Sequence, residues 1–428
     1  MSDSRTETPI ISSTFQREGD QLTRILEVDG KVHRSSVPAD DTGDPLGDWW
    51  LAYLRGAAPS AETSLGEIRT AELFCGSGGL AQGFRQACHE TGRKMTAMAA
   101  VDHDGEAVDM YEANHRPYVI SSRSVTELVD YRVKRRRDDA EFRYEPEMVD
   151  DDWRELVGSI DVVLAGPPCQ GHSNLNNHSR RTDPRNDLYL SVPAVAIALQ
   201  APMVIIENVQ AVVHDRLGVV AATVRLLEDA GYKVEAGVLK ADQLGWAQRR
   251  SRYFLIASRN HRPIPVAEVA ASLADDARPV RWAIDELADA DPDDHMFRRP
   301  EMSSENRNRI NYLFENDLHD LPNSERPDCH KDGTTYTSVY GRLHGDKPAP
   351  TITTGFMTPG RGRYIHHDRR RVLAPQEAAR IQGFPDNYLF ASGGEPPSSV
   401  KLSKWIGDAV PMPLGFAAGL SVLGGTAA

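Results

Sequence analysis

A thiol, a carboxyl and a pair of guanidinium groups stand in order along this chain, each beside a short apolar run. Cys169 follows Gly166-Pro167-Pro168, directly after Ile160-Asp161-Val162-Val163-Leu164-Ala165. A buried strand that ends in two prolines presents its thiol at the carboxyl edge of a sheet, where open α/β folds bind ligands. The prolines restrict the backbone and remove two amide donors, so the thiol sits on a stiffened loop. A thiolate adds to an electron-poor carbon, and the fraction present as thiolate depends on a lowered pKa. Glu207, in Glu207-Asn208-Val209, closes the next apolar run. A carboxyl there can protonate or hydrogen-bond a ring under attack. Gln248-Arg249-Arg250-Ser251-Arg252 leads into a further strand, in which Arg250 and Arg252 share one face. Such a face can hold a phosphate or orient the glutamate.

Upstream, Glu72-Leu73-Phe74-Cys75-Gly76-Ser77-Gly78-Gly79 sets a glycine loop after a first strand. Gly76, Gly78 and Gly79 let backbone approach a bound nucleoside, with the following helix N-terminus facing it. The spacing is not GxGxxG, and no GK[ST] follows, which argues against NAD and ATP. The second strand ends at Asp102-His103, where an acid can accept hydrogen bonds from ribose hydroxyls. These features suit a nucleoside cofactor without polyphosphate, and S-adenosylmethionine is the expected one. Taken singly, each motif has a plain structural explanation: a packing thiol, a helix-capping acid, a solvated basic edge, a tight turn.

The elements that must position these residues alternate. Strands are expected at 70–74, 96–101, 160–165, 203–207, 232–239 and 253–257. Helices are expected through residue 90 and at 104–114, 188–199 and 219–230. Strands separated by helices of this length predict an α/β fold with a doubly wound, largely parallel sheet. Residues 1–66 read as an accessory N-terminal segment whose Trp49, Trp50 and Tyr53 dock on the main body. Residues 67–258 form the catalytic unit, interrupted by a charged, looped insertion before residue 160. From 259 to 348 the periodicity dissolves into Asp, Asn, Pro and Arg, which marks a small recognition unit. Residues 349–428 complete the catalytic unit with a helix at 412–424.

The formal charge of −13 counts against nucleic acid only weakly, because binding depends on where cations lie. Arg and Lys gather at 132–137, 249–252 and 361–371. The four cysteines, Cys75, Cys88, Cys169 and Cys329, form no CxxC pair. That suits a reducing cytoplasm and argues against structural zinc, so no metal is expected. The polar N-terminus has no apolar signal core, and no membrane span is expected.

The order of the motifs is their specific property. A glycine loop, Pro-Cys-Gln, Glu-Asn-Val and Gln-x-Arg-x-Arg together resemble the DNA cytosine-5 methyltransferase family. Pro350-Thr351-Ile352-Thr353-Thr354, Arg380-Ile381-Gln382-Gly383-Phe384-Pro385 and Gly407-Asp408-Ala409-Val410-Pro411 continue the likeness, which spans residues 68 to 424. The resemblance implies the class I S-adenosylmethionine-dependent methyltransferase fold with a target-recognition domain at 259–348. It implies methyl transfer to C5 of a flipped cytosine through a covalent Cys169–C6 adduct. Glu207 would act at the ring N3 and Arg252 would hold ring and glutamate, with Arg250 and Gln248 nearby. Phe74, Gly76, Ser77, Gly78, Gly79, Asp102, His103, Ser124, Val125, Pro167, Leu188, Asp408 and Ala409 would surround the cofactor. The partner would be double-stranded DNA, bound by a monomer, in a prokaryotic cytoplasm at the nucleoid. Cognate restriction or phage-defence proteins would share the setting. Arg307, Arg309, Lys331 and Arg342 are the expected phosphate contacts.

The chain departs from the family pattern in three places. Ser124 stands where an acid usually meets the adenine amino group, and His172 where Phe is common. Asp408 replaces the usual Asn, which opens a rival activity: transfer of a modified alkyl group from a variant cofactor. A second rival is tRNA cytosine-5 methylation, although the Cys-Phe-Thr signature of those relatives is not visible. A third is a catalytically silent nucleic-acid-binding regulator.

Overall fold

Leu22, Arg24, Leu26 and Val28 occupy every second position of one stretch, and all four are buried. In the computed structural model, which describes residues 10–61, 65–136, 139–168, 188–215, 218–291, 293–331, 338–391 and 396–427, they face inward from a sheet. β1 (Ile11–Glu18), β2 (Gln21–Val28) and β3 (Lys31–Pro38) form an antiparallel meander that turns at Gly19 and Gly30, both at positive φ. α1 (Pro45–Leu54) follows, capped by Asp44, which accepts from Gly47 N at 2.9 Å. β4 (Ser60–Ala61) then pairs with β3. Sequence reading gives this segment no strands, because polar β1 and β3 lack a clean alternation. Its aromatics do dock as expected: Trp50 meets Tyr53, Trp246 and Phe416 edge-on, with ring centroids 5.4–6.1 Å apart.

β5 (Glu67–Leu73), α2 (Gly79–Glu90), β6 (Lys94–Asp102), α3 (Gly105–His115) and β7 (Val119–Ser122) follow the expected alternation. The N-terminal sheet is bolted to α2 by a buried ion pair, Arg24 Nη1 to Glu90 Oε2 at 2.9 Å, and Trp49 Nε1 donates to the same carboxylate. The stretch read as a looped insertion holds β8 (Val129–Asp130), β9 (Val133–Arg136), β10 (Asp139–Phe142) and β11 (Glu147–Met148). β9 pairs with β10 inside the β8–β11 ladder. The short α4 (Asp151–Arg154) ends the insertion.

β12 (Val162–Ala165) is fully buried, as an apolar run covered on both faces should be. α5 (Ser191–Ala198), β13 (Met203–Val209), α6 (Val219–Asp229), β14 (Lys233–Lys240), β15 (Gln248–Arg249) and β16 (Ser251–Ser258) follow. The central seven-stranded sheet has the order β14-β16-β13-β12-β5-β6-β7. β16 alone runs against its neighbours. Its beginning therefore lies at the carboxyl end of β13, with Arg252 opposite Val209.

The remaining chain contains β17 (His261–Arg262), α7 (Val266–Ser272), α8 (Val280–Ile284) and α9 (Ser304–Glu315). Ile310 and Leu313 of α9 join Leu321, Val339, Tyr340 and Ile365 in a small separate core. β18 (Ala349–Pro350) pairs with β15, α10 (Pro375–Gln382) packs with α8 and α11 (Ser399–Asp408), and α12 (Met412–Leu423) returns to the central sheet. β19 (Thr426–Ala427) pairs with β17. α12 lies tightly on α2: a Cβ on Gly83 would come 2.4 Å from Met412 O, so only glycine permits this approach. By length and composition the run Ser399–Leu423 could cross a membrane, but 89% of its apolar window is buried inside the protein.

Candidate active site

Parallel strands deliver their carboxyl ends to one edge, and the expected site residues converge there. Glu207 is near the end of β13, opposite Phe254 of β16, and Arg252 lies two residues before Phe254 on the same face. Arg252 Nε meets Glu207 Oε1 at 2.7 Å, with both side chains largely buried, 16% and 10% exposed. Burial pushes the Glu207 carboxyl above its usual range, while Arg252 and then Arg250 pull it back. Next door, a Cβ on Gly166 would lie 3.7 Å from Glu207 Oε2 and 3.9 Å from Phe74 O. The segment leading to the thiol, the glutamate and the glycine loop thus meet at one point. Asn208 Nδ2 donates to Pro167 O at 3.1 Å and ties the β12 loop to β13. Cys169 itself, like His172, lies outside the described residues.

Arg250 and Gln248 are placed differently from Arg252. Arg250 is 2% exposed and donates to the carbonyls of Ile352, Gly407 and Ala409 at 2.6–3.1 Å. Gln248 donates to Ile381 O and Gln382 Oε1, and accepts from Ile352 N. Both side chains bind the C-terminal segments to the sheet, and among the described residues only Arg252 forms an ion pair with Glu207. Strand periodicity puts Arg250 and Arg252 on one face, but it carries no information about which distant carbonyls one of them will meet.

The glycine loop is held from several sides. Phe74 adopts a left-handed conformation, φ 56°, uncommon for a residue with a side chain. Gly76 N donates to Asp102 Oδ2 at 2.9 Å, and Asp104 N donates to Asp102 Oδ1 at 3.0 Å. His103 is exposed, its Nδ1 3.0 Å from Asp102 Oδ1. Ser77 Oγ donates to Trp405 O, and Tyr388 Oη donates to Ser77 O at 2.6 Å. Arg85 donates to His115 Nδ1 at 2.7 Å, which leaves His115 Nε2–H to face Tyr388 Oη at 3.1 Å. Burial and Arg85 push His115 well below its usual range, so the imidazole is neutral and this tautomer follows. Gly78 has no room for a side chain, since a Cβ would meet His115 Nε2 at 2.5 Å. A Cβ on Gly76, by contrast, meets nothing within 4 Å.

Val125 is buried and Leu188 half-buried. Ser124 spends its hydroxyl on its own turn, 2.8 Å from Thr126 Oγ1. Ala409 is buried beside Gly79, and Asp408 is exposed with its Oδ2 3.2 Å from Lys404 Nζ. Sequence reasoning misses Tyr388, His115 and Trp405, which support the loop from elements remote in the chain. Of the expected phosphate contacts, Arg309, Lys331 and Arg342 bond within the protein. Arg307 is exposed and its guanidinium has no bond among the described residues. No cluster of three or more His, Cys, Asp or Glu among the described residues is arranged to hold a metal.

The C-5 cytosine-specific DNA methylase family matches residues 68–423. The chain is 39% identical over 389 residues to the Type II methyltransferase M1.BsuMI of Bacillus subtilis (strain 168), covering 88% of each chain. It is 29% identical over 365 residues to the Type II methylase M.HgiDII of Herpetosiphon aurantiacus, covering 80% of this chain and 92% of that one. Its fold is similar to the crystal structure of S. pombe Dnmt2 methyltransferase, with a TM-score of 0.54 at 14% identity, over 83% of this chain and 98% of that one.

Proposed function

The chain belongs to the C-5 cytosine-specific DNA methylases, and from that premise we propose that Cys169, Glu207 and Arg252 perform site-specific methylation of cytosine C5 in DNA. The observation that carries the assignment of roles is the buried Glu207–Arg252 pair, set against Gly166 and the glycine loop at one sheet edge. Cytosine C5 is too weak a nucleophile to take a methyl group unaided. Addition of the Cys169 thiolate to C6 makes C5 an enamine carbon. Glu207, whose carboxyl burial pushes towards the protonated form, protonates or hydrogen-bonds N3 as the adduct forms. Arg252 fixes the glutamate in place. After transfer, loss of the C5 proton and departure of the thiolate restore the ring. The base must leave the duplex for both of its faces to be reached.

The methyl donor is S-adenosylmethionine, which supplies a sulfonium methyl group when bound. The loop suits a nucleoside: Gly76 borders open space, and the Asp102 carboxylate keeps lone pairs for ribose hydroxyls beyond the two amides it accepts. Phe74, Ser77, Val125, Leu188 and Ala409 would complete the surround. The substrate is duplex DNA, bound by a monomer, in a restriction or phage-defence setting.

Expression in a methylation-free host, followed by bisulfite mapping and nucleoside mass spectrometry, tests the reading. The expected result is 5-methylcytosine in one short sequence context, lost in Cys169→Ala and Glu207→Gln. An unmodified genome with methylated tRNA would overturn the DNA assignment. A larger alkyl group at C5 would overturn the donor.

A further inference from the structure

Residues 243–267 and 347–367 contain no Asp or Glu, in a chain that carries 62 of them and a formal charge of −13. β15 and β18 pair these two stretches side by side, and next to that pairing Thr351 Oγ1 donates to Arg249 O at 2.7 Å. Such a seam lowers the repulsion that the rest of this acidic chain imposes on an anion. Most of its cations are spent within the protein, Arg250, Arg252, Arg259, Arg262 and Arg363 among them. Arg249, Lys347 and Arg361 are exposed, and their side chains have no hydrogen bond or ion pair among the described residues. Arg249 precedes Arg252 by three residues, and in extended backbone it faces away from its buried neighbours Gln248 and Arg250. Arg361 ends the turn 354–361, which buries Phe356, Met357 and Pro359 and exposes Thr354, Thr358 and Arg361. A Cβ on Gly355 would lie 2.9 Å from Arg361 Cγ, so the arginine stem lies across that glycine and gives the guanidinium a fixed base. The turn is fastened on two sides. Tyr340, in the small separate core, donates its backbone N to Pro359 O at 2.8 Å. On the other side Arg250 donates to Ile352 O, and Thr353 Oγ1 lies 2.9 Å from Tyr364 Oη. Arg361 thus stands at the joint between the recognition unit and the sheet edge that bears Glu207.

We propose that Arg249 and Arg361 hold backbone phosphates of the substrate duplex where the target base leaves it. This rests on the DNA reading above. A guanidinium stays charged at any working pH, and its planar fork matches two phosphate oxygens at once. Arg249 and Arg361 break no internal bond in order to bind, whereas Arg309, Lys331 and Arg342 would have to. A base drawn out of the helix gives up its stacking and pairing, and a backbone held from outside keeps the strand in register while it does so. Contacts of this kind position the duplex without reading its sequence. The DNA surface therefore continues past residue 348, into a turn that sequence reading assigns to the catalytic unit.

Fluorescence anisotropy over a KCl series tests the pair with two labelled duplexes of equal length. One carries the sequence context found by bisulfite mapping, the other lacks it, and S-adenosylhomocysteine is present throughout. Arg249→Met and Arg361→Met should each weaken both duplexes about fivefold and leave their affinity ratio within about twofold. Each should also reduce the slope of log affinity against log salt by about one, which a loss of structural support would not do. Arg249→Lys and Arg361→Lys should keep the slope. Lys347→Met removes a free cation that stands beside Asp346, ahead of β18, and should leave the slope unchanged. The inference is overturned by an unchanged slope in either Arg→Met variant, or by an equal change in Lys347→Met. It is overturned equally if only the mapped duplex weakens, since that marks a base reader. If the unaltered enzyme shows no salt-dependent binding to either duplex, the DNA reading fails and the inference with it. A steep slope in the unaltered enzyme that no variant alters overturns the inference alone.

Discussion

Replacing Arg252 by Met removes the counter-charge of Glu207 while keeping a side chain of similar length, and the cost should depend on pH. The pair is 2.7 Å apart and largely buried. At the effective dielectric typical of protein sites, unit charges about 4 Å apart interact by about 4 kcal/mol. Breaking a buried pair by removing one partner costs about 3–5 kcal/mol, because the other charge is left uncompensated. Glu207 can escape that cost by taking a proton. Its folded pKa is already raised by burial, and Arg252 is the first of the groups that lower it. A carboxyl with a raised folded pKa contributes stability fully below its unfolded value, about 4.3, and loses that contribution as pH rises through the folded value. Without Arg252 the folded pKa lies still higher, so the loss extends to higher pH and becomes larger. The variant's deficit should therefore be about 1 kcal/mol at pH 5, where mainly a hydrogen bond is missing, and approach about 3–5 kcal/mol at pH 8. Urea unfolding followed by tryptophan fluorescence at pH 5, 6.5 and 8 measures it. Adding Glu207→Gln should remove most of the pH dependence. A deficit equal at pH 5 and pH 8, or one untouched by Glu207→Gln, would refute this account of the pair.

Tyr388→Phe removes the donor to Ser77 O and leaves His115 Nε2 without its phenolic partner; we expect a loss of about 1–2 kcal/mol in stability and weaker S-adenosylhomocysteine binding by calorimetry. Trp50→Ala takes out a 3%-exposed ring that joins α1 to Trp246 and Phe416, so a cost of about 3–5 kcal/mol is expected. Limited proteolysis of that variant should then cut ahead of β5 before it cuts the central sheet.

What was legible in the sequence was local. Val162 to Ala165 announces a buried strand through its own composition, and the glycines at 76, 78 and 79 announce a loop that backbone must approach closely. Glu207 and Arg252 are readable as partners because each stands at the edge of an apolar run and their order repeats a family pattern. The N-terminal sheet was not legible. Arg24 occupies an inward position in β2 where alternation calls for an apolar residue, and Glu90, far along the chain, supplies the counter-charge that makes its burial tolerable. Arg250 shows the same limit from the other side: its position beside Arg252 was plain, whereas its acceptors at 352, 407 and 409 are set by tertiary packing. The region from 259 to 346 reads as irregular because α7, α8 and α9 are short or strongly polar, and pattern alone separates them poorly from loops.

The supports of the glycine loop are distant in the chain: Ser77 reaches Trp405 across 328 residues, and Tyr388 reaches Ser77 across 311. Contacts separated this far are slow to close, and during synthesis the second partner does not yet exist. At ribosomal rates of about 5–20 residues per second, Trp405 emerges roughly 16–66 s after Ser77. For that interval the first strand and its loop are present with no wall behind them. A nascent or truncated chain therefore lacks the contacts from Trp405 and Tyr388 that hold the glycine loop. Completion of the last helices is the event that closes the wall around the loop.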